Sequence, residues 1–554
     1  MKKSTRIILS LVVGTLLTGL AYYVMLPALN PQSVGFWTFL VAVVLFYAVP
    51  LGVFSSSPIF PKRKNSPKKV ALTTAGKVTV GIVAALVAVI VVGSVISSQV
   101  FNAEKYASVI TVENAVFSED MPEADTVTNI SLMDTDSAII LGNRELGALS
   151  DVVSQYALST DYNQINYKGT PKKVANLEYV DFFRWVNNVE KGIPGYVMVD
   201  PVNSSAEYIK FEKPLRYVQS GYFGDDLMRK LRFEYPTKIF STVNFEIDEE
   251  GNPWFIVSCV KPRVGLFGAM DVSEVIIFNP CDGTSSIYSL DKTPSWIDNV
   301  FDGYLAAEKF DWYGTLKGGF INSVIGQQDC KRTTADFGYI VLGDDVWYFT
   351  GVTSVTGDES NIGFIISNAR TGEYKYYPVI GAEEYSAMGA AQGEVQEKGY
   401  VASFPSLINV EGQATYIMVL KDANGLVKLY ALVNVENYSI VATGETQAAA
   451  KQAYLDTLVE RGIIKETVED TPVVETKQAT VTVTEVRLAT VQGDTVVYVT
   501  ADDGVVYKGS LADDETLILI SEGQHLSFEY EETSHARIRA IVSWSEAPRN
   551  DAEE

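Results

Sequence analysis

The residues best suited to chemistry gather around one stretch, "TGVTSVTGDESNIGF" at residues 350–364. Its carboxylates Asp358 and Glu359 follow Asp344 and Asp345 at short range, with Trp347 and Tyr348 between. Two acids facing each other across a cleft can hydrolyse a glycoside without histidine. In this reading the two rings stack on sugars. The competing reading is a connection between two strands, whose tip recognises a partner. Its candidate recognition residues are Thr353, Ser354, Asp358, Glu359, Ser360 and Asn361, with Trp347 beside them. The 68 acidic residues of the chain make neighbouring carboxylates common by chance, which favours the loop.

Other chemistries fare worse. The two histidines, His525 and His535, both lie near the C-terminus, so the main body has no imidazole to serve a Ser/His/Asp or Cys/His nucleophile or a zinc hydrolase. "SLDK", from Ser289 to Lys292, matches S-x-x-K, but neither S-D-N nor K-T-G follows. Asp134 and Asp136 open like a calcium loop, yet Ile139 stands where glycine is needed, so a capped turn before a buried strand is expected there. There is no GxxxxGK[ST] and no GxGxxG. No catalytic residue, metal ligand or cofactor is nominated.

The elements that must position any site begin with a membrane anchor. Residues 1–99 carry Lys2, Lys3, Arg6, Lys62, Arg63, Lys64, Lys68, Lys69 and Lys77 and no acid, which leaves 35 basic and 68 acidic residues beyond. Three uncharged apolar runs, Ile7 to Leu26, Val34 to Phe54 and Val78 to Ser97, each have about the twenty residues needed to cross a bilayer. The positive charges precede the first run and fill the loop 55–77, which predicts a cytoplasmic N-terminus and loop. The large C-terminal region is then extracytoplasmic, on a multi-pass cell-membrane protein. Flanked by spans, "PKRKNSPKK" reads as an orientation signal with attraction for anionic lipid rather than as a nucleic-acid patch. Repulsion from the acidic exterior also argues against nucleic acid. Cys259, Cys281 and Cys330 allow at most one internal bridge, and Cys259 in "PWFIVSCV" reads as a core residue.

After an α+β segment at 100–174, one pattern recurs four times within 175–464: an apolar strand, a loop, a second strand ending in Asp200, Asn279, Asn368 or Asn434, a tight turn, and usually a third strand. Asp or Asn there bonds its own backbone two residues on, and Asn203, Gly283 and Gly372 can take positive φ. Helical stretches follow three copies: "PSWIDNVFDGYLAAEKF", opening with Pro294, "AEEYSAMGAAQGEVQEKG", and "GETQAAAKQAYLDTLVERG" with Thr446 as N-cap and Gly462 as stop. Residues 465–478 read as a linker, 479–546 as a small β-barrel of the OB or SH3-like kind, and 547–554 as an acidic tail.

The hairpin-then-helix grammar resembles the PepSY module, a small sheet covered by a helix, which implies binding or inhibition outside the membrane. The chain as a whole is also similar to an uncharacterised group of large Gram-positive membrane proteins, on stretches such as "LRFEYPTKIF" and "LVKLYALVNVENY". The expected fold is therefore α+β, with three transmembrane helices, antiparallel-sheet and helix units of PepSY-like kind, and a C-terminal small β-barrel. The expected function is extracytoplasmic binding or scaffolding in the cell envelope, with a protein partner such as a protease or wall enzyme under its regulation. The alternative is a carboxylate hydrolase acting on envelope glycans.

Overall fold

The structure, a computed structural model, describes residues 3–51, 73–124, 132–334, 336–355, 360–465, 477–491, 494–511, 514–532 and 537–547. The basic run 62–69, Asp358, Glu359, His535, the linker residues 466–476 and the tail 548–554 lie outside them.

Three apolar helices come first: α1 (Lys3–Met25), α2 (Val34–Leu51) and α3 (Thr74–Ile96). Each is long and apolar enough to cross a bilayer, and the chain is a multi-pass membrane protein. Helix α4 (Gln99–Ala107) continues from α3 after a short break.

Four antiparallel meanders of four strands follow. Unit A comprises β1 (Asn163–Tyr167), β2 (Thr170–Tyr179), β3 (Ile193–Asp200) and β4 (Ser205–Leu215). Unit B comprises β5 (Ile239–Ile247), β6 (Pro253–Val264), β7 (Gly268–Phe278) and β8 (Ser285–Ser289). Unit C comprises β9 (Gly338–Leu342), β10 (Asp345–Ser354), β11 (Ser360–Asn368) and β12 (Tyr374–Tyr377). Unit D comprises β13 (Ser406–Val410), β14 (Gln413–Lys421), β15 (Val427–Asn434) and β16 (Val441–Gly444). Each unit is its own sheet, paired in chain order. The first position is broken in A, C and D, where a second short strand continues it (156–158, 331–333 and 401–402), and bulged in B between Phe240 and Val243.

The repeated turns behave as their residue types require. Asp200 Oδ1 accepts from Val202 N and Asn203 N, Asn279 from Cys281 N, Asn368 from Arg370 N and Thr371 N, and Asn434 from Asn437 N. Gly283 and Gly372 have positive φ, but in the first turn that conformation falls on Ser204 rather than Asn203.

A helix follows every unit: α7 (Leu227–Glu234), α8 (Gly303–Leu316), α9 (Glu384–Glu394) and α10 (Gln447–Glu460). The first was not anticipated. Thr446 caps α10 by accepting from Ala449 N. Helix α8 does not start at Pro294; Asp302 is its N-cap, and residues before it are spent on the sheets, where Val300 N and Phe301 N both bond Ala369 O. Asp134 does cap a turn, accepting from Ser137 N, but what it opens is helix α5 (Thr135–Gly147), not a strand.

Sheets A and B share one core (Ile165, Tyr196, Phe245, Phe255) and C and D another (Phe349, Phe364, Tyr416, Val433), each built from the alternate residues of facing strands. Helix α8 and the segment leading into it fill the gap between B and C, the segment through Phe301 and the helix through Ala306 and Phe310. Helix α5 lies on sheet A through Ala138 and reaches sheet D, where Lys421 pairs with Asp134 at 2.6 Å. The four sheets thus close a ring.

Residues from Gly462 form a second compact unit. Its five strands, β17 (Lys477–Val491), β18 (Asp494–Ala501), β19 (Val506–Ser510), β20 (His525–Glu532) and β21 (Ile538–Glu546), close a barrel in the order β17-β18-β19-β21-β20, with β19 and β21 parallel. That connectivity is the Greek key of an OB barrel, around Val497, Val499, Tyr507 and Phe528.

Candidate functional site

The broken first strands of the four units face the centre of the ring and line two adjoining chambers. The first, about 740 Å³, is walled by Asn163 and Gln164 of A, Thr242 and Asn244 of B, and Tyr339 of C. The second, about 650 Å³, is walled by Tyr339 of C, Val401, Ala402 and Ser406 at the start of D, and Lys173 and Lys421. Thr135, Tyr304, Phe337 and Tyr339 border both, so the chambers adjoin.

Lys173 defines its electrostatics. Neighbouring residues of a strand face opposite sides, and β2 carries a Lys-Lys pair. Lys172 points outward and pairs with Asp200 at 2.6 Å. Lys173 points inward and is 2 % exposed. Its ammonium lies 4.9 Å from the centre of the Tyr339 ring, a cation–π contact. Among the described residues it has no ion-pair or hydrogen-bond partner. Burial pushes its pKa down to about 8, against the pull of the Asp134 charge. Burial also works against Asp134, but bonds from Lys421 and Ser137 outweigh it and hold that carboxyl below its ordinary value. In the first chamber, Tyr162 OH and Thr242 Oγ1 are buried and have no partner among the described residues. Buried polar atoms are nearly always satisfied, so the unpartnered Lys173 ammonium bordering the second chamber marks a place built to meet a polar group.

The carboxylates nominated from the sequence lie behind this cavity. Asp344 accepts from Asn166 Nδ2 at 2.8 Å, and Asn166 N donates to Asp298. Glu246, fully buried, accepts from Asp298 N and from both nitrogens of Asn299, and burial raises both its pKa and that of Asp298. Asp345 is held by Arg370 and Asn368 at 2.5 to 2.8 Å. Both acids therefore belong to networks that join sheets or turns.

The candidate recognition residues separate. Trp347 and Asn361 are buried, Trp347 in the C–D core and Asn361 bonded to Ala382 O and Tyr416 OH. Tyr348 is buried too and donates to Phe301 O. Thr353 and Ser354 end β10 half-buried, opposite Arg332 and Lys331, and Ser360 begins β11 opposite Ala382. The matching connection of unit B is residues 265–267, which dock on helix α3. The structure brings together instead Lys173, Lys421, Tyr304 and Tyr339, of which the sequence reading singled out none. The Lys-Lys pair in an apolar strand was the signal, since one of the two has to face inward.

SLDK ends β8 and forms an exposed turn. All three cysteines are free, and burial pushes the Cys259 thiol up to about 12. His525 begins β20 with Nδ1 3.3 Å from Thr482 Oγ1. No family model matches the chain, and no curated protein matches it either.

Proposed function

We propose that the protein is a membrane-anchored binding protein of the bacterial cell envelope, whose ring of sheets stands outside the membrane and takes a small anionic ligand in its central cavity. The observation that carries this reading is Lys173, a buried ammonium with no ion-pair or hydrogen-bond partner among the described residues, bordering a chamber with aromatic walls. A carboxylate or phosphate group supplies the missing charge, and Tyr304, Phe337 and Tyr339 suit a flat or apolar body. The basic loop between α2 and α3 supports an extracytoplasmic ring by the positive-inside bias. The PepSY-like grammar agrees with binding, and regulation of an envelope protein follows if the liganded ring is what the partner meets.

The test is a titration of the purified full chain in detergent with benzoate and with inorganic phosphate, read by thermal unfolding and calorimetry. Saturable stabilisation by either anion, lost in Lys173→Met, is the expected result. Equal stabilisation of both proteins, or none of either, removes Lys173 as the anchor and the reading with it.

A further inference from the structure

We propose that the ring also rests two apolar feet in the interfacial layer of the bilayer that its helices cross, a contact independent of what the cavity holds. The starting point is how the ring meets the helices. At the end of α1, Arg229 of α7 donates to Tyr23 O at 3.2 Å and stacks over the Tyr23 ring at 4.1 Å. Phe233 of the same helix packs edge-on against Tyr22. At the end of α3, the β6–β7 tip is seated by Ser97 Oγ, which accepts from Leu266 N and Phe267 N. A Cβ added at Gly93, one turn earlier, would lie 2.5 Å from the Phe267 ring. These contacts fix the level at which the helices leave the membrane.

Exposed apolar side chains concentrate at that level, on both sides. Beside α1, helix α6 (Phe182–Asn188) and the turn 222–223 form an aromatic group of Phe182, Phe183, Trp185, Tyr222 and Phe223. Phe183 is 70 % exposed and Phe223 57 %. The same Arg229 that bonds Tyr23 O also donates to Phe223 O, so this group lies against the last turn of α1. Beside α3, Phe101 of α4 is 70 % exposed, and the segment after α8 exposes Ile321, Val324 and Ile325. Phe320 anchors that segment on Ala103 and Tyr106 of α4, and Tyr106 OH donates to Ser97 O.

Apolar clusters of this density in water invite association, whereas phenylalanine, tryptophan and isoleucine next to a span are at home among lipid headgroups and upper acyl chains. Both clusters are continuous with helices that enter the bilayer, which selects lipid over a second protein as the occupant. The aromatic foot also carries Lys191 at its rim, suited to lipid phosphates, while Arg184 beside it is paired with Asp181 at 2.8 Å.

The experiment places the photo-reactive p-benzoylphenylalanine at Phe183, at Ile325 and at Glu249 in the full-length protein, in membranes of the expressing cells, and identifies adducts by mass. Glu249 lies in the exposed turn before β6; that strand has 12 residues, so the turn is about 40 Å from the seated tip. Phospholipid adducts at both Phe183 and Ile325, about fivefold or more above those at Glu249, are expected for side chains at the interface. Protein adducts at these positions overturn the proposal in favour of a docking face, and yields no higher than at Glu249 overturn it outright.

Discussion

Two lysines are buried in the same ring, and they are treated in opposite ways. Lys309 on α8 fills the gap between sheets B and C and meets Asp271 at 2.7 Å, with Arg263 completing the group from the rim. Lys173, in the cavity beside α5, meets an aromatic ring and no carboxylate among the described residues. Both are nearly inaccessible, at 3 % and 2 %. Burial depresses both, with Asp271 opposing it directly at Lys309. A fold that can pair one buried ammonium has the means to pair another, so the orphan charge is a feature of the cavity rather than of a crowded core.

Four experiments break or sharpen that contrast. The largest effect is expected from Asp271→Asn, which turns Lys309 into a second orphan; leaving a buried charge uncompensated costs about 4 kcal/mol, measured by denaturant unfolding of the purified chain. Lys173→Met should act in the opposite direction. The folded-state pKa of about 8 lies below the ordinary lysine value of 10.5, so at neutral pH the charged lysine opposes folding by about 3 kcal/mol. Between pH 8 and 10.5 the unfolded chain binds the proton that the folded chain has released, so wild-type stability rises with pH across that window. In Lys173→Met the rise should vanish and stability at pH 7 should exceed wild type; a loss of stability would show that Lys173 is paired after all.

Glu384 extends the contrast to acids. It is fully buried and has donors, Gly351 N and Thr334 Oγ1, but no cation among the described residues, and burial raises it to about 7. Here the folded chain keeps a proton that the unfolded chain has lost above pH 4.5. Stability should fall by about 3 kcal/mol as pH rises from 4.5 to about 7, and Glu384→Gln should flatten that descent. The smallest effect, about 1 kcal/mol, is expected from Lys421→Ala, which removes the half-buried partner of Asp134. Asp134 then acts on Lys173 alone, and the pH window of Lys173 should move upward.

The sequence reading and the fold agree where interactions are local. The turns at Asp200, Asn279, Asn368 and Asn434 satisfy themselves within three residues, so four units could be counted from their residue types alone. Helix α10, with Thr446 and a run of alanine and glutamine, was legible for the same reason. The helix expected from Pro294 was not, because residues 298–301 are claimed by Glu246 and Ala369 in other sheets. Helix α7 escaped because its arginines, which look like a solvated face, are turned toward α1. The cavity was illegible since each unit contributes only a short segment to it, and those segments lie far apart in the chain. Trp347 and Asn361 attracted attention by type, and long-range packing, which the local pattern does not encode, buried them.

The arginines of α7 have a consequence for how the protein is made. A helix ends with carbonyls that need donors, and the last turn of α1 receives its donors from residues about two hundred positions later: Arg229 to Tyr23 O and Arg232 to Leu26 O. While the chain emerges from the ribosome, the first span is therefore made with its C-terminal end unfinished. It is completed only after sheet A and α7 have been made and have folded. Insertion and folding become one sequence of events, and a fragment cut free at residue 100 would present α7 with nothing to cap.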